Sequence, residues 1–110
     1  MPASKKIEWY DMDESLYRAS RICRAMGNPK SFHILSVLKE VGQATPTELA
    51  PRINRSLPAT SIALRPLREL DLVRYQRAGK NVIYKNKGGH VEKILEALAG
   101  FVEDVRKQSR

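Results

Sequence analysis

The chain has 110 residues, with 20 Lys+Arg against 12 Asp+Glu, for a formal charge of +8. That length fits a single domain, 1–110, and excludes a catalytic domain joined to a regulatory one. With 42% hydrophobic and 29% charged residues the composition excludes a disordered chain, and one cysteine, Cys23, excludes an intramolecular disulfide and a metal cage of cysteines alone.

Asp11-Met12-Asp13-Glu14 opens a helix over about 11–26, with Asp11 or Asp13 as N-cap and acids well placed in the first turn. Trp9 and Tyr10 just before it can pack on a partner or cap the core. Leu16, Ala19, Ser20, Ile22, Cys23 and Met26 form an apolar or small stripe at helical spacing, which casts Cys23 as a buried small residue rather than a redox sensor. Gly27 suits the C-cap of this helix, Asn28 the N-cap of the next, and Pro29 its first position. Phe32, Ile34, Leu35, Val37 and Leu38 make the second helix apolar on one side, with His33 solvated and an end near Val41-Gly42.

Thr45-Pro46-Thr47-Glu48 is a capping box: the threonine hydroxyl can accept from the amide of Glu48, whose carboxylate can reach back. A short third helix follows, with Leu49, Ala50 and Ile53 inward; Pro51 lies near enough to its start to cost little. Ser56 caps a fourth helix over about 57–69, in which Thr60, Leu64 and Leu67 face the core while Ser61, Ile62 and Arg65 face outward. Pro66 is expected to kink this helix or shorten its last turn. After Leu70-Asp71 the period changes from 3.6 to 2. Leu72–Arg77 and Val82–Lys87 are expected as strands joined by a turn at Ala78-Gly79-Lys80-Asn81, and Gly88-Gly89 breaks the ladder. A last helix over about 90–107 carries Val91, Ile94, Leu95, Leu98, Val102 and Val105 in a seam wider than one small subunit needs. That seam packs on its own core or on a second copy. The fold class is mainly α with a small β-hairpin.

The charge is uneven. Residues 52–87 hold nine basic side chains and only two acids, Glu69 and Asp71, a net of +7, and the remaining 74 residues net +1. Two short helices joined by a tight turn and followed by a basic hairpin make a winged helix-turn-helix.

The motifs carry a family resemblance. Met26-Gly27-Asn28-Pro29 followed by Ile34-Leu35-Ser36-Val37-Leu38 resembles the L-G-[DN]-P-x-x-x-x-I-L-x-x-L signature of ArsR-type winged-helix repressors. Thr47-Glu48-Leu49-Ala50 is similar to their third helix, Leu64 through Val73 to L-K-x-L-R-E-x-G-L-V, and Arg77 through Tyr84 to the wing R-x-G-[RK]-x-V-x-Y. The match runs from about residue 16 to 107, and four pieces in order and spacing make it specific. It implies a homodimer built from the first and last helices, with Leu16, Ser20, Cys23, Val91, Ile94, Leu95, Leu98, Val102 and Val105 at the interface. The family's metal-sensing Cys-x-Cys positions fall on Thr45 and Thr47. For the second sensor type, anchored on His90, the remaining positions fall on Gly88, Phe101 and Asp104, so two of four ligands are missing and no metal or other cofactor is expected. Ser31 replaces an arginine common in the family.

The expected function is that of a homodimeric regulator of transcription, a repressor in the family's manner, on double-stranded DNA. The fourth helix would enter the major groove with Ser56, Pro58, Ala59, Ser61, Ile62 and Arg65. Ser61 can bond a base edge or phosphate, Ile62 can touch a thymine methyl, and Arg65 can pair with guanine or a phosphate. Arg74, Arg77, Lys80 and Asn81 on the wing would meet the minor groove or backbone, and Arg55 and Arg68 flanking phosphates, within a DNA-binding core of 29–87. So few hydrogen-bonding groups on the fourth helix point to shape and phosphate readout. The alternative is a winged-helix module for protein interaction or for non-specific nucleoid or chromatin binding. An enzyme finds no nucleophile–base pair, phosphate-binding glycine loop or metal set, and an RNA-binding domain no RNP-like aromatics or GXXG loop. Met1-Pro2-Ala3-Ser4-Lys5-Lys6 leads into Ile7-Glu8-Trp9 rather than an apolar core, and no apolar run approaches the ~20 residues that span a bilayer. A cytoplasmic protein with no membrane partner is expected; any small-molecule effector goes unnamed.

Overall fold

The computed structural model describes residues 6–7 and 12–109. Trp9, Tyr10 and Asp11 lie outside the described residues. Two short strands, β1 (Lys6–Ile7) and β2 (Met12–Asp13), pair antiparallel ahead of the helices. Two residues per strand are too few to set a period, so the sequence carries no signal for this ladder.

Four helices follow, and each starts where a local hydrogen bond satisfies the free amides of its first turn. Asp13 caps α1 (Glu14–Met26), its carboxylate accepting from the Leu16 amide at 2.8 Å. Asn28 caps α2 (Pro29–Val41), accepting from the amides of Lys30 at 3.0 Å and Ser31 at 3.4 Å. Both halves of the capping box open α3 (Pro46–Arg52): Thr45 N–H donates to Glu48 at 2.8 Å and Glu48 N–H to the Thr45 hydroxyl at 3.1 Å. Ser56 caps α4 (Leu57–Glu69), accepting from the Ala59 amide at 3.2 Å.

α3 and α4 end alike. After α3, Asn54 takes φ 57°, its amide donates to the Pro51 carbonyl at 3.2 Å, and the Arg55 amide donates to Ala50 at 3.0 Å. After α4, Asp71 takes φ 63°, its amide donates to Arg68 at 3.0 Å, and the Leu72 amide donates to Leu67 at 2.8 Å. Both are Schellman ends, in which a left-handed residue turns the chain back over the last carbonyls. Asn and Asp hold that conformation with less strain than other side chains. The first end is the tight turn between α3 and α4; the second points the chain into the hairpin, with Leu72 closing over Leu67 in the core.

α4 runs through Pro66 to Glu69, so the expected shortening does not occur. Proline leaves the Ile62 carbonyl without its amide partner, and that residue is on the solvent side, where water can take the bond. The hairpin is β3 (Val73–Ala78) and β4 (Asn81–Asn86), closed by Gly79-Lys80. Gly79 has φ 65° and Lys80 does not have a positive φ, the type II′ pattern that suits the twist of paired strands. Tyr84 also bridges to Ala44, so the α2–α3 connection lies against β4. The last helix, α5 (Gly88–Gln108), begins two residues before the expected start, and Gly88, at φ 66°, makes the left-handed turn that takes the chain out of the ladder.

The core gathers Ile34, Leu35, Val37 and Leu38 of α2, Leu49 of α3, Leu64 and Leu67 of α4, Val73 and Tyr84 of the hairpin, and Val91 and Leu95 of α5. Each large aliphatic side chain removed from water there contributes roughly 1.5–3 kcal/mol. The polar side chains admitted to this core each make at least one hydrogen bond, although the Asn86 side-chain oxygen itself has no partner. The Thr60 hydroxyl donates to the Ser56 carbonyl at 2.8 Å within its own helix, and Asn86 donates to the Leu35 carbonyl at 3.1 Å, fastening the wing base to α2. Ser31 is buried, with its hydroxyl 3.5 Å from the Ala63 carbonyl. A short side chain there lets α2 lie close to α4.

Candidate nucleic-acid interface

α3 and α4 hold each other through buried Leu49, Ala50, Ile53, Thr60, Ala63, Leu64 and Leu67, which leaves one face of α4 for solvent. Ser61, Ile62 and Arg65 lie on that face, with Pro58 exposed and Ala59 half-buried at its N-terminal end. Ser56 also sits there, but its hydroxyl oxygen is already accepting the capping bond. Arg55, next to the left-handed Asn54, is exposed at the entrance to α4.

On the wing, Arg74, Arg77, Lys80 and Asn81 are all exposed. The register sets Arg74 directly opposite Lys85. Like charges facing one another across a ladder repel, an arrangement that an anion would relieve. Between the wing and the end of α4 is an open cleft of about 680 Å³ whose lining includes Arg68, Arg74, Lys85, Lys87, Gln43 and Gln76. Gln43, Gln76, Lys85 and Lys87 are not among the expected contact residues. Strand alternation places Lys85 and Gln76 on one face with Arg74 once the register is known, but Gln43 arrives there only through the Ala44–Tyr84 bridge.

Of the nine cations in 52–87, Arg52 pairs with Glu40 at 3.7 Å and Lys87 pairs with Asp71. Among the described residues the other seven (Arg55, Arg65, Arg68, Arg74, Arg77, Lys80 and Lys85) have no acidic partner. Arg68 is held differently. Its guanidinium donates to the Tyr84 hydroxyl at 3.2 Å and lies 5.0 Å from the centre of the Tyr75 ring. The hydrogen bond to Tyr84 raises its pKa further above the usual guanidinium value.

The nine residues expected at a subunit interface divide. Leu16, Ser20 and Cys23 on α1, and Ile94, Leu98, Val102 and Val105 on α5, are exposed in the single chain. Val91 and Leu95 are not: at 3% and 5% exposure they fill the protomer's own core, because their side of α5 rests on α2 and β4. Cys23 lies outside the protomer's own core, exposed on α1 in the single chain. Phe101 joins the open α5 face at 66% exposure; its place beside Val102 in an apolar helix was the available signal.

No protein-family model matches the sequence. The chain is 36% identical over 73 residues to the HTH-type transcriptional regulator NmtR of Mycobacterium tuberculosis, a match over 66% of this chain and 60% of NmtR. The chain thus spans less than two thirds of that curated relative. It superposes on the crystal structure of NolR from Sinorhizobium fredii with a TM-score of 0.73 and 32% identity, over 92% of this chain and 95% of that one. The fold also matches the homodimeric winged helix-turn-helix DNA-binding domain Mb0332 of Mycobacterium bovis, a possible ArsR-family regulator. That TM-score is 0.76 with 23% identity, over 100% of this chain and 96% of that one. The fold is therefore that of a winged helix-turn-helix domain, and the sequence is similar to that of an HTH-type transcriptional regulator. Thr45, which the sequence resemblance aligns with a metal-sensing cysteine, instead holds the α3 cap through its hydroxyl. Among the described residues no three His, Cys, Asp or Glu side chains converge as a metal site, and no helix is long and apolar enough to cross a membrane.

Proposed function

We propose that the protein is a homodimeric, DNA-binding transcriptional regulator that acts as a repressor in the cytoplasm. The observation that carries this is the placing, around the outward face of α4 and the wing, of seven cations that have no acidic partner among the described residues. α4 enters the major groove with Ser61, Ile62 and Arg65, Pro58 and Ala59 let its N-terminal turn approach closely, and Ser56 holds that turn in shape. Arg55 meets a flanking phosphate, and Arg74, Arg77, Lys80 and Asn81 meet the adjacent minor groove or backbone. Arg65 is the one long hydrogen-bonding side chain on the reading face, so base readout is sparse and duplex shape counts for much of the selectivity.

The two subunits join through the open faces of α1 and α5, with Leu16, Ser20, Cys23, Ile94, Leu98, Val102 and Val105 in contact. Val91 and Leu95 support that face from beneath. Two copies of α4 then address two half-sites about one helical turn apart. No chemical step, metal or cofactor enters this reading.

Site selection from random duplexes at two salt concentrations tests it. A palindromic site with affinity falling at a log–log salt slope near −8, as roughly 4–6 phosphates per subunit imply, is expected. A slope near zero overturns it. Uniform binding of all duplexes, with a steep slope, favours the non-specific nucleoid-binding alternative.

A further inference from the structure

The wing and the reading helix are joined by one arginine. Arg68 sits in the last turn of α4, yet its contacts belong to the hairpin: the hydroxyl of Tyr84 on β4 at 3.2 Å and the ring face of Tyr75 on β3 at 5.0 Å. The two tyrosines are directly paired across the ladder, with ring centroids 5.8 Å apart. Tyr84 is buried at 5% exposure, so its hydroxyl is a fixed point, whereas Tyr75 is more than half exposed and covers Arg68 from the solvent side. A guanidinium has five N–H donors. One goes to Tyr84, and four remain for the cleft that Arg68 shares with Arg74, Lys85 and Lys87. The single acid lining that cleft, Asp71, is engaged by Lys87.

We propose that this cleft seats a DNA phosphate at the junction of α4 and the wing, with Arg68 as its fixed donor and Tyr84 and Tyr75 as the residues that position it. An exposed arginine loses much side-chain freedom when it grips a phosphate; here the tyrosines have already removed part of that freedom before DNA arrives. The same contacts set the wing relative to α4, so the two parts of the interface meet the duplex as one rigid body. The proposal rests on the regulator reading above, in which Arg68 is expected to meet a phosphate, and adds to it the cleft that seats that phosphate and two positioning residues.

The test measures binding of the full chain to a selected duplex across a salt series, with thermal unfolding of each variant alongside. Tyr84→Phe keeps the ring and removes the hydroxyl, and is expected to weaken binding about three- to tenfold with the salt slope unchanged, because no charge is lost. Tyr75→Leu, at an exposed site that leaves the core alone, is expected to weaken it about two- to threefold, also at constant slope. Arg68→Gln should weaken binding more than either and make the slope shallower by about one per subunit. Weakened binding by Arg68→Gln at an unchanged slope would mean that Arg68 only fastens the wing, and overturns the phosphate seat. Unaltered binding by both tyrosine variants overturns the positioning role. Failure of the unaltered protein to bind any duplex overturns the regulator reading and this proposal together, before a variant is compared.

Discussion

α4 and α5 both leave hydrophobic side chains in solvent, and the two exposures differ in kind. On α4, Leu57 and Ile62 are exposed but lie five residues apart, on different sides of the helix, so Ile62 at 70% exposure is isolated with Ser61 and Arg65 beside it. On α5, Ile94, Leu98, Phe101, Val102 and Val105 are all exposed and recur at spacings of three, four and one along a single helix. A lone apolar side chain among cations suits a surface of phosphates and methyl groups, while a continuous apolar strip suits another apolar strip. The lesson is that isolation or continuity of exposed apolar groups, not their number, separates the two proposed partners.

Mutations can break this contrast from either side. Phe101→Glu together with Leu98→Glu places charges in the centre of the α5 strip. Sedimentation should show a monomer, with DNA affinity reduced at least ~100-fold, because truncated interface anchors each cost on the order of 2 kcal/mol or more and a monomer holds only one half-site. A dimer that survives both changes would remove α5 from the interface. Arg65→Ala should cost about 1–3 kcal/mol of duplex affinity and relax selectivity at one base position, with the dimer intact by sedimentation. Ile62→Ala is expected to cost less, about 0.5–1 kcal/mol, and to act only at sites carrying a thymine at the matching position. A loss as large as that of Arg65→Ala would show that the reading face is governed by apolar contact.

The α3 cap supplies a control that touches neither face. Thr45→Ala should lower stability by about 1 kcal/mol in denaturant unfolding while dimerisation and the salt slope stay as they were. The cap also has a pH signature. Hydrogen bonds from Thr45 hold the Glu48 pKa below the ordinary carboxylate value. The folded state therefore gains from the ionised form above the unfolded pKa and loses that gain as pH falls through the lowered folded value. The difference in melting temperature between the unaltered protein and Glu48→Gln is expected to be present at neutral pH and to close in acid. A difference that persists at low pH would place the effect of Glu48 outside its ionisation.

The features legible in the sequence are local ones. Asp13, Asn28, Thr45 and Ser56 each cap through an atom within three residues, so their side-chain chemistry and the spacing that follows suffice. The same holds for the inward row Thr60, Leu64 and Leu67, where helical period decides the facing. The first turn of α5 escapes because glycines carry no periodic signal, and the β1–β2 ladder because two residues cannot alternate. At the candidate site, the outward residues of α4 and the wing cations are legible from period and charge. The anchoring of Arg68 is not, because it joins residues sixteen apart through a strand register that only folding establishes.

The sequence by itself determined where α2, α3 and α4 begin, which faces of α2 and α4 turn inward, and that the charge gathers in residues 52–87. Those properties depend on neighbours within about one turn of helix or one strand. Tertiary structure decided that the α5 seam is shared, with Val91 and Leu95 spent on the protomer's own core and Leu98, Phe101, Val102 and Val105 left open. It also decided that Cys23 lies on the open face of α1, outside the protomer's core, and that Arg74 stands opposite Lys85. The reason is geometric: an apolar stripe states that a face will be buried, but only the positions of the other helices and strands state against what.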